Sequence, residues 1–510
     1  MSHSTVMSPP ASSKKSVRPD DSPRRVLTRE QAIALGHKLI DHILPRYPAL
    51  DRIWLTHTAF SVTKVANGSV LEANDGDRVL IMVGSEYGSR LPVWITTNQL
   101  DDGALRKAID QALNMLPPLP NITIIAPRSE DDESAFVTTP REFLPISLWH
   151  DSTARAMETA RGDTIPRIIE DLHAAKLNGA ATVGMTQRVA LYMYPAGLTA
   201  FAEETDCEVT VTARTPDGLA AGWGGQAHRD WSKVAPSAAV AQAVDIANRS
   251  HNPVAFEPGR RTAILGPAAV AQLVYQMGEL FDGEGARGGG SPFSVVNHNA
   301  DGSGRRSKVG MRVFDPRIMM RSDPADPDGG YAPFFEDGSI EPTSGYPTSA
   351  VTWVDRGVLT SLAYNLMNGM KYRLPACDVP RSMHVSPAPG TQTATIEEMI
   401  AHCEHGIYVN RFSELTMLDR GSGMMTGSTR DGCFLVRNGK IDKPIKNFRF
   451  IDSPFFAFNK LQMIGVPARV PFGYVPSSPF GFESRWPRSP IIVPPMMVTD
   501  FNFSALADAV

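Results

Sequence analysis

The sequence predicts an α+β fold in which a small N-terminal α/β unit precedes a larger, strand-rich C-terminal half. Three observations carry that expectation. Helical apolar spacing behind Thr28 and again from Leu105 flanks strand-like runs within the first 120 residues. From Ala181 to Gly224, three β-rich runs are separated by Pro-Ala-Gly and Pro-Asp-Gly turns. Farther on, an Asn438-Gly439 hairpin lies in a stretch rich in turn residues and aromatics.

The Ser/Pro-rich start cannot pack a core, and residues 1–26 are expected to be a disordered tail. Lys14 and Lys15 have no apolar stretch behind them, so this is not the pattern of a secretory signal. Thr28 and Gln31 can form a capping box for a helix carrying Ile33, Leu35, Leu39, Ile40 and Ile43 and ended by Pro45. Strand runs follow at Arg52–Thr58, Ala59–Ala66 and Arg78–Val83, with an Asn67-Gly68 turn. Leu105 to Leu116 reads as a helix stopped by Pro117-Pro118. Residues 145–178 read as helical with a break near Gly162, which leaves Pro166 in the first turn of a second helix. After the β-rich run come a helix at Pro236–Arg249, a short strand before Gly266, and a helix at Pro267–Phe281. Gly283 to Gly345 is crowded with Gly, Pro and Asp turn signals and reads as long loops or a flap. Ile396–His402 is a short helix, with His405-Gly406 read as its C-terminal cap.

Lys+Arg is 50 and Asp+Glu 54, a net charge of −4, so no global field draws the chain to nucleic acid or anionic lipid. The longest apolar runs are far short of a membrane span. Cys207, Cys377, Cys403 and Cys433 are far apart, with no CxxC pair, which suits a reducing, cytoplasmic compartment.

Four blocks in order resemble the TldD/PmbA family: Ala221–Val234, Glu257–Gln276, Ile396–Val409 and Thr429–Ile451. The resemblance implies an α+β protein whose C-terminal half carries an antiparallel, barrel-like sheet around a cleft, and a chain that dimerises. It divides the chain into a tail (1–26), an N-terminal domain (27–230) and a C-terminal TldD/PmbA-type domain (231–510). It further implies a metal-bearing partner similar to a zinc-type metallopeptidase that clips unfolded or leader peptides.

The catalytic members carry H-E-x-x-x-H on the helix that corresponds to 267–281. Anchored on Ala269-Val270, that frame places the first histidine on Pro267, the glutamate on Ala268 and the second histidine on Gln272. Anchored on Ser291-Pro292-Phe293, it moves toward Tyr275. Either way, no histidine occurs between His251 and His298. Zinc needs imidazole, carboxylate or thiolate lone pairs, and water activation also needs a base. Pro267 and Ala268 supply neither, Gln272 has no useful basicity, and Tyr275 stays protonated at its reference pKa of about 10. No cofactor is expected. Glu279 reads as a solvated helix-end carboxylate.

Trp223, His228, Arg229 and Asp230 follow or lie among close glycines, and with Tyr275 and Glu279 they are candidate cleft residues. The simpler reading of His228-Arg229-Asp230 is a packed, hydrogen-bonded corner. His402 and His405 are spaced i, i+3 and form an alternative zinc pair if both lie on one helix face. Cys403 beside His402 is a poor thiol dyad, because adjacent helical residues point about 100° apart. The resulting expectation is a non-metal member that binds unfolded or leader peptide. It would form a homodimer, or a heterodimer with a metal-bearing TldD-like protein, with no membrane or nucleic-acid partner. An active peptidase with a non-standard metal site is the alternative, and a gyrase-associated role is less favoured.

Overall fold

The structure, a computed structural model, describes residues 23–47, 50, 52–84, 93–115, 143–194, 198–295, 306–335, 347–377, 379–380, 382–471 and 490–507. Helix α1 (Arg29–His37) starts at the predicted capping box: the Thr28 hydroxyl accepts the Gln31 amide, and the Gln31 side chain accepts the Thr28 amide. It widens into a π turn over Lys38–Ile43 and then tightens into a 3-10 turn that contains Pro45. Strands β1 (Arg52–Ala66) and β2 (Ser69–Gly84) form one long hairpin around Asn67-Gly68, so the two runs expected on either side of residue 58 are a single strand. β3 (Val93–Thr97) and α2 (Asp102–Met115) follow; the Pro117-Pro118 stop lies outside the described residues.

Helix α3 (Asp151–Ala174) runs unbroken through Gly162 with Pro166 inside it, which corrects the expected break. Met157, Ala160, Ile165, Ile168 and Leu172 are all buried in one core, and that continuous face outweighs the hydrogen bond Pro166 cannot make. Strands β4 (Asn178–Met193), β5 (Thr199–Arg214) and β6 (Ala221–His228) complete an antiparallel sheet ordered β3-β2-β1-β4-β5-β6. The turn expected at Pro195-Ala196-Gly197 lies outside the described residues. Odd-numbered residues of β1, β4 and β5, among them Leu55, Leu191 and Val209, turn toward the helices, as the two-residue period requires. Helix α4 (Pro236–Arg249) lies so close to β6 that a Cβ on Gly222 or Gly224 would stand 2.2 Å from the carbonyl of Ala243 or Ala239. Residues 1–22 lie outside the described residues. Pro23 to Val26, grouped with the tail by composition, are held on the sheet: the Gln187 side chain accepts the Arg25 amide and donates to the Pro23 carbonyl.

The second half contains, in order, β7 (Gly259–Leu265), α5 (Pro267–Met277), α6 (Gly283–Gly288), β8 (Ser294–Val295), β9 (Arg306–Ser307), β10 (Ile318–Ser322), β11 (Val351–Asp355), β12 (Val358–Leu359), α7 (Leu366–Tyr372), β13 (Met383–Pro387), α8 (Ile396–His402), β14 (His405–Asp419), β15 (Met424–Arg437), β16 (Lys440–Pro444), β17 (Phe448–Asp452), α9 (Pro454–Ala457), β18 (Leu461–Ile464), β19 (Ala468–Val470), β20 (Ile491–Val493) and β21 (Met496–Leu506). Among the described residues, β14, β7, β21, β17 and β15 close into a five-stranded barrel, because β15 pairs back onto β14. Every pairing in it is antiparallel except β7 with β14. Phe412, Phe450, Phe501 and Phe503 are buried there against one another. A second sheet runs β12-β11-β10-β13-β20-β19. The predicted α+β class, with a strand-rich, barrel-containing second half, is therefore observed.

The 283–345 stretch is not all loop. Asp282 caps α6 by accepting the Gly285 amide, and Gly289, at φ +91°, ends it in the left-handed region that favours glycine. Farther on, β10 buries the side chains of Ile318 and Met320 completely, although residues 296–305 and 336–346 of the stretch lie outside the described residues. Gly222→Ala should destabilise the fold by about 1–3 kcal/mol through overpacking against α4, read from the urea midpoint. Gly162→Ala, on the exposed side of α3 with nothing within 4 Å of the new methyl, should stabilise it by about 0.5–1 kcal/mol. A loss of stability in that variant would indicate a break at 162.

Candidate functional cleft

Helix α5 is set by what surrounds it. Its N-cap residue Gly266 donates to the Val409 carbonyl at 2.9 Å, and a Cβ there would stand 3.0 Å from the Asn410 carbonyl, so β14 is pressed against the helix start. Pro267 takes the first helical position, where its missing N–H costs little. Ala268, Ala269, Val270, Ala271, Leu273, Val274 and Met277 are buried in the core shared by the barrel and the second sheet. The remaining strip is Gln272, Tyr275, Gln276 and Glu279, spaced three and four residues apart. Behind it, the Ser291 hydroxyl donates to the Leu280 carbonyl at 2.8 Å, and Phe293 packs against Phe281 in a tilted arrangement with ring centroids 4.7 Å apart.

On this strip the Gln272 Oε1 accepts the backbone amide of Phe412 at 2.8 Å. Beyond Val409, β14 has left β7, and among the described residues no strand pairs with its outer side from Arg411 to Asp419. Gln272 therefore satisfies the first amide of an otherwise open strand edge. Tyr275 is exposed, and Glu279 meets Arg420 from the β14–β15 turn at 3.3 Å. Pro267 and Ala268 carry no donor atom and the oxygen of Gln272 is engaged, so these residues do not fit a zinc ion.

β14 brings Trp223 to the same neighbourhood. Arg411, next to Phe412, lies over the buried Trp223 ring at 5.5 Å and forks onto Asp431 Oδ2. Asp431 sits in a β-bulge at φ +51°, buried, and its other oxygen has no hydrogen-bond partner among the described residues. Nothing local in the sequence marks Asp431 or the Gln272–Phe412 bond, whose partners are 140 residues apart.

His228, Arg229 and Asp230 form a separate corner. Arg229 is buried and pairs with Glu204 at 2.8 Å; its carbonyl accepts the hydroxyls of Thr153 and Thr205. Burial pushes Glu204 up, but Arg229 and Arg188 outweigh it and hold the carboxyl below its ordinary range. Hydrogen bonding from Ser152, helped by Ser232, lowers Asp230 to about 2. The corner is packed and hydrogen-bonded, with Arg229 Nε left without a partner among the described residues.

The alternative zinc pair is not assembled. His402 ends α8, but His405 is the first residue of β14, so the two do not share a helix face and His405-Gly406 is not the cap. The helix ends at Cys403 because the strand that follows is already paired with β7 and β15. Its true start signal is a Thr395–Glu398 capping box, present in the sequence as T-x-x-E. Burial raises the Cys403 thiol and pushes Cys207 and Cys433 up to about 12, so none of these three is an activated nucleophile.

Residues 258–505 match the PmbA/TldA metallopeptidase C-terminal domain. The whole fold is similar to a Thermotoga maritima protein described as a proposed modulator of a DNA gyrase (TM-score 0.69, 14% identity, 92% of this chain and 99% of that one). It is similar to a Bacteroides thetaiotaomicron protein of the same description (0.68, 15%, 94% and 100%) and to TldE from Thermococcus kodakarensis (0.67, 15%, 93% and 99%). With that C-terminal domain carried on the barrel and helix described above, residues 258–505 belong to the TldD/PmbA family.

Proposed function

We propose that this chain is a peptide-binding, non-metal member of the family that takes part in proteolysis or peptide maturation as a dimer. The dimer is formed with itself or with a metal-bearing TldD-like protein. The observation that carries the reading is the Gln272–Phe412 bond. At the place where the family resemblance puts zinc ligands, the Gln272 side chain is committed to holding a strand, and Pro267 and Ala268 offer no side-chain lone pair. The same bond leaves the rest of the β14 edge, Ser413 to Asp419, bordered by Tyr275, Glu279 and Arg420. An extended unfolded or leader peptide adds to such an edge through its main chain, which suits a protein that handles many sequences. The absence of any disulfide among the four cysteines suits the cytoplasm.

Elemental analysis of the chain purified alone should find zinc and iron well below one atom per chain; a stoichiometric metal would remove the basis of this reading. In hydrogen exchange with an unstructured peptide mixture at ten times its Kd, amides of residues 413–419 should gain about tenfold protection. Protection gained only elsewhere would place the peptide on another surface.

A further inference from the structure

The corner at His228 to Asp230 is a socket for an acidic turn. Residues 323–330, Asp-Pro-Ala-Asp-Pro-Asp-Gly-Gly, leave β10 of the second sheet and lie against the first. Asp326 organises the turn: its Oδ1 accepts the amides of Asp328 and Gly329 at 2.9 and 3.0 Å. Its Oδ2 receives Arg321 at 2.9 Å and stands 2.8 Å from His384 Nδ1 on β13. From the first sheet, Arg229 donates to the Gly330 carbonyl at 2.6 Å, and His228 Nε2 stands 3.1 Å from Asp328 Oδ1. Arg469 of β19 closes the third side, donating to the Asp328 carbonyl at 3.2 Å and pairing with Asp206 of β5.

Geometry holds the His228 ring in one protonation state. Nδ1 accepts the Asp230 amide at 2.9 Å, so the ring proton is on Nε2 and is donated to Asp328. A second proton, on Nδ1, would set an N–H against an N–H. The charged and titratable groups that face the ring come from every neighbouring element. Asp328 and Lys233 lie 3.9 Å from each other, Arg469 projects from β19, and the His150 ring is 6.4 Å away. The Asp230 carboxylate is turned to Ser152 and Ser232. Burial disfavours the charged ring; Asp328 opposes this, while Arg469 and Lys233 reinforce it.

We propose that His228 is a pH-sensitive latch, whose neutral Nε2–H form fastens the 323–330 turn to the first sheet and whose protonation releases it, loosening the joint between the two halves. The proton taken up comes from solvent and reaches Nδ1; the ring then turns away from the Asp230 amide, and that turn carries Nε2–H off Asp328 Oδ1, which breaks the bond to the acidic turn. The closed form lowers the ring below its ordinary value of about 6.5, so closure is at full strength above that value and is lost as pH falls through the lowered one.

Hydrogen exchange of the full chain, corrected for the intrinsic rate, tests this. Protection of amides 328–330 should fall about tenfold between about pH 7.5 and about pH 5.5, while amides of β1 and β4 hold. His228→Gln keeps a donor for Asp328 but does not titrate, and should flatten the profile. Asp328→Asn keeps the acceptor and the Nδ1 conflict, and should retain the fall. An unchanged wild-type turn, the same fall in His228→Gln, or loss of the fall in Asp328→Asn would each overturn the latch.

Discussion

The burial of helix α5 on three sides is the constraint on which the rest of the second half depends. The barrel and the second sheet both pack against it, so seven of its eleven residues are buried and apolar. Only the strip through Gln272, Tyr275, Gln276 and Glu279 is left for polar chemistry. Burial on that scale contributes on the order of 1.5–3 kcal/mol for each large side chain. It also fixes the distance between the helix and β14, so that one glutamine amide reaches the Phe412 N–H at 2.8 Å. A polar side chain so close to a strand edge either completes the hydrogen bonding or leaves an amide unpaired, and here it completes it.

The same geometry separates two kinds of polar cluster. Along β14, groups border an open edge and a cleft, with Trp223 beneath Arg411 as a floor. At the His228 corner, Arg229 and Arg188 pair with Glu204 within the first half, and Arg469 pairs with Asp206 across the joint between the halves. Removing one partner from a buried pair of that kind is far more costly than the pair is stabilising, which suits a joint with defined closed geometry.

Much of the local structure was legible in the sequence because its causes are local. The Thr28 capping box, the two Asn-Gly turns, the helix at Pro236 and the hairpin after Cys433 follow from side-chain reach and backbone torsion within a few residues. Where the sequence misled, packing had overridden a local signal. Pro166 is a first-turn residue by propensity and a helix-interior residue in fact, because one apolar face spans both sides of Gly162. His405 reads as part of a cap, yet strand pairing claims it.

By itself, the sequence determined the α+β class, the position and apolar face of helix 267–281, and the absence of histidine from it. Those rest on composition and on periods of two and 3.6 residues, which any window of the chain displays. The tertiary structure alone decided what replaced the missing chemistry. The Gln272–Phe412 bond and the seating of the 323–330 turn on His228 join residues 140 and 100 apart in sequence, and no local rule encodes which of them meet.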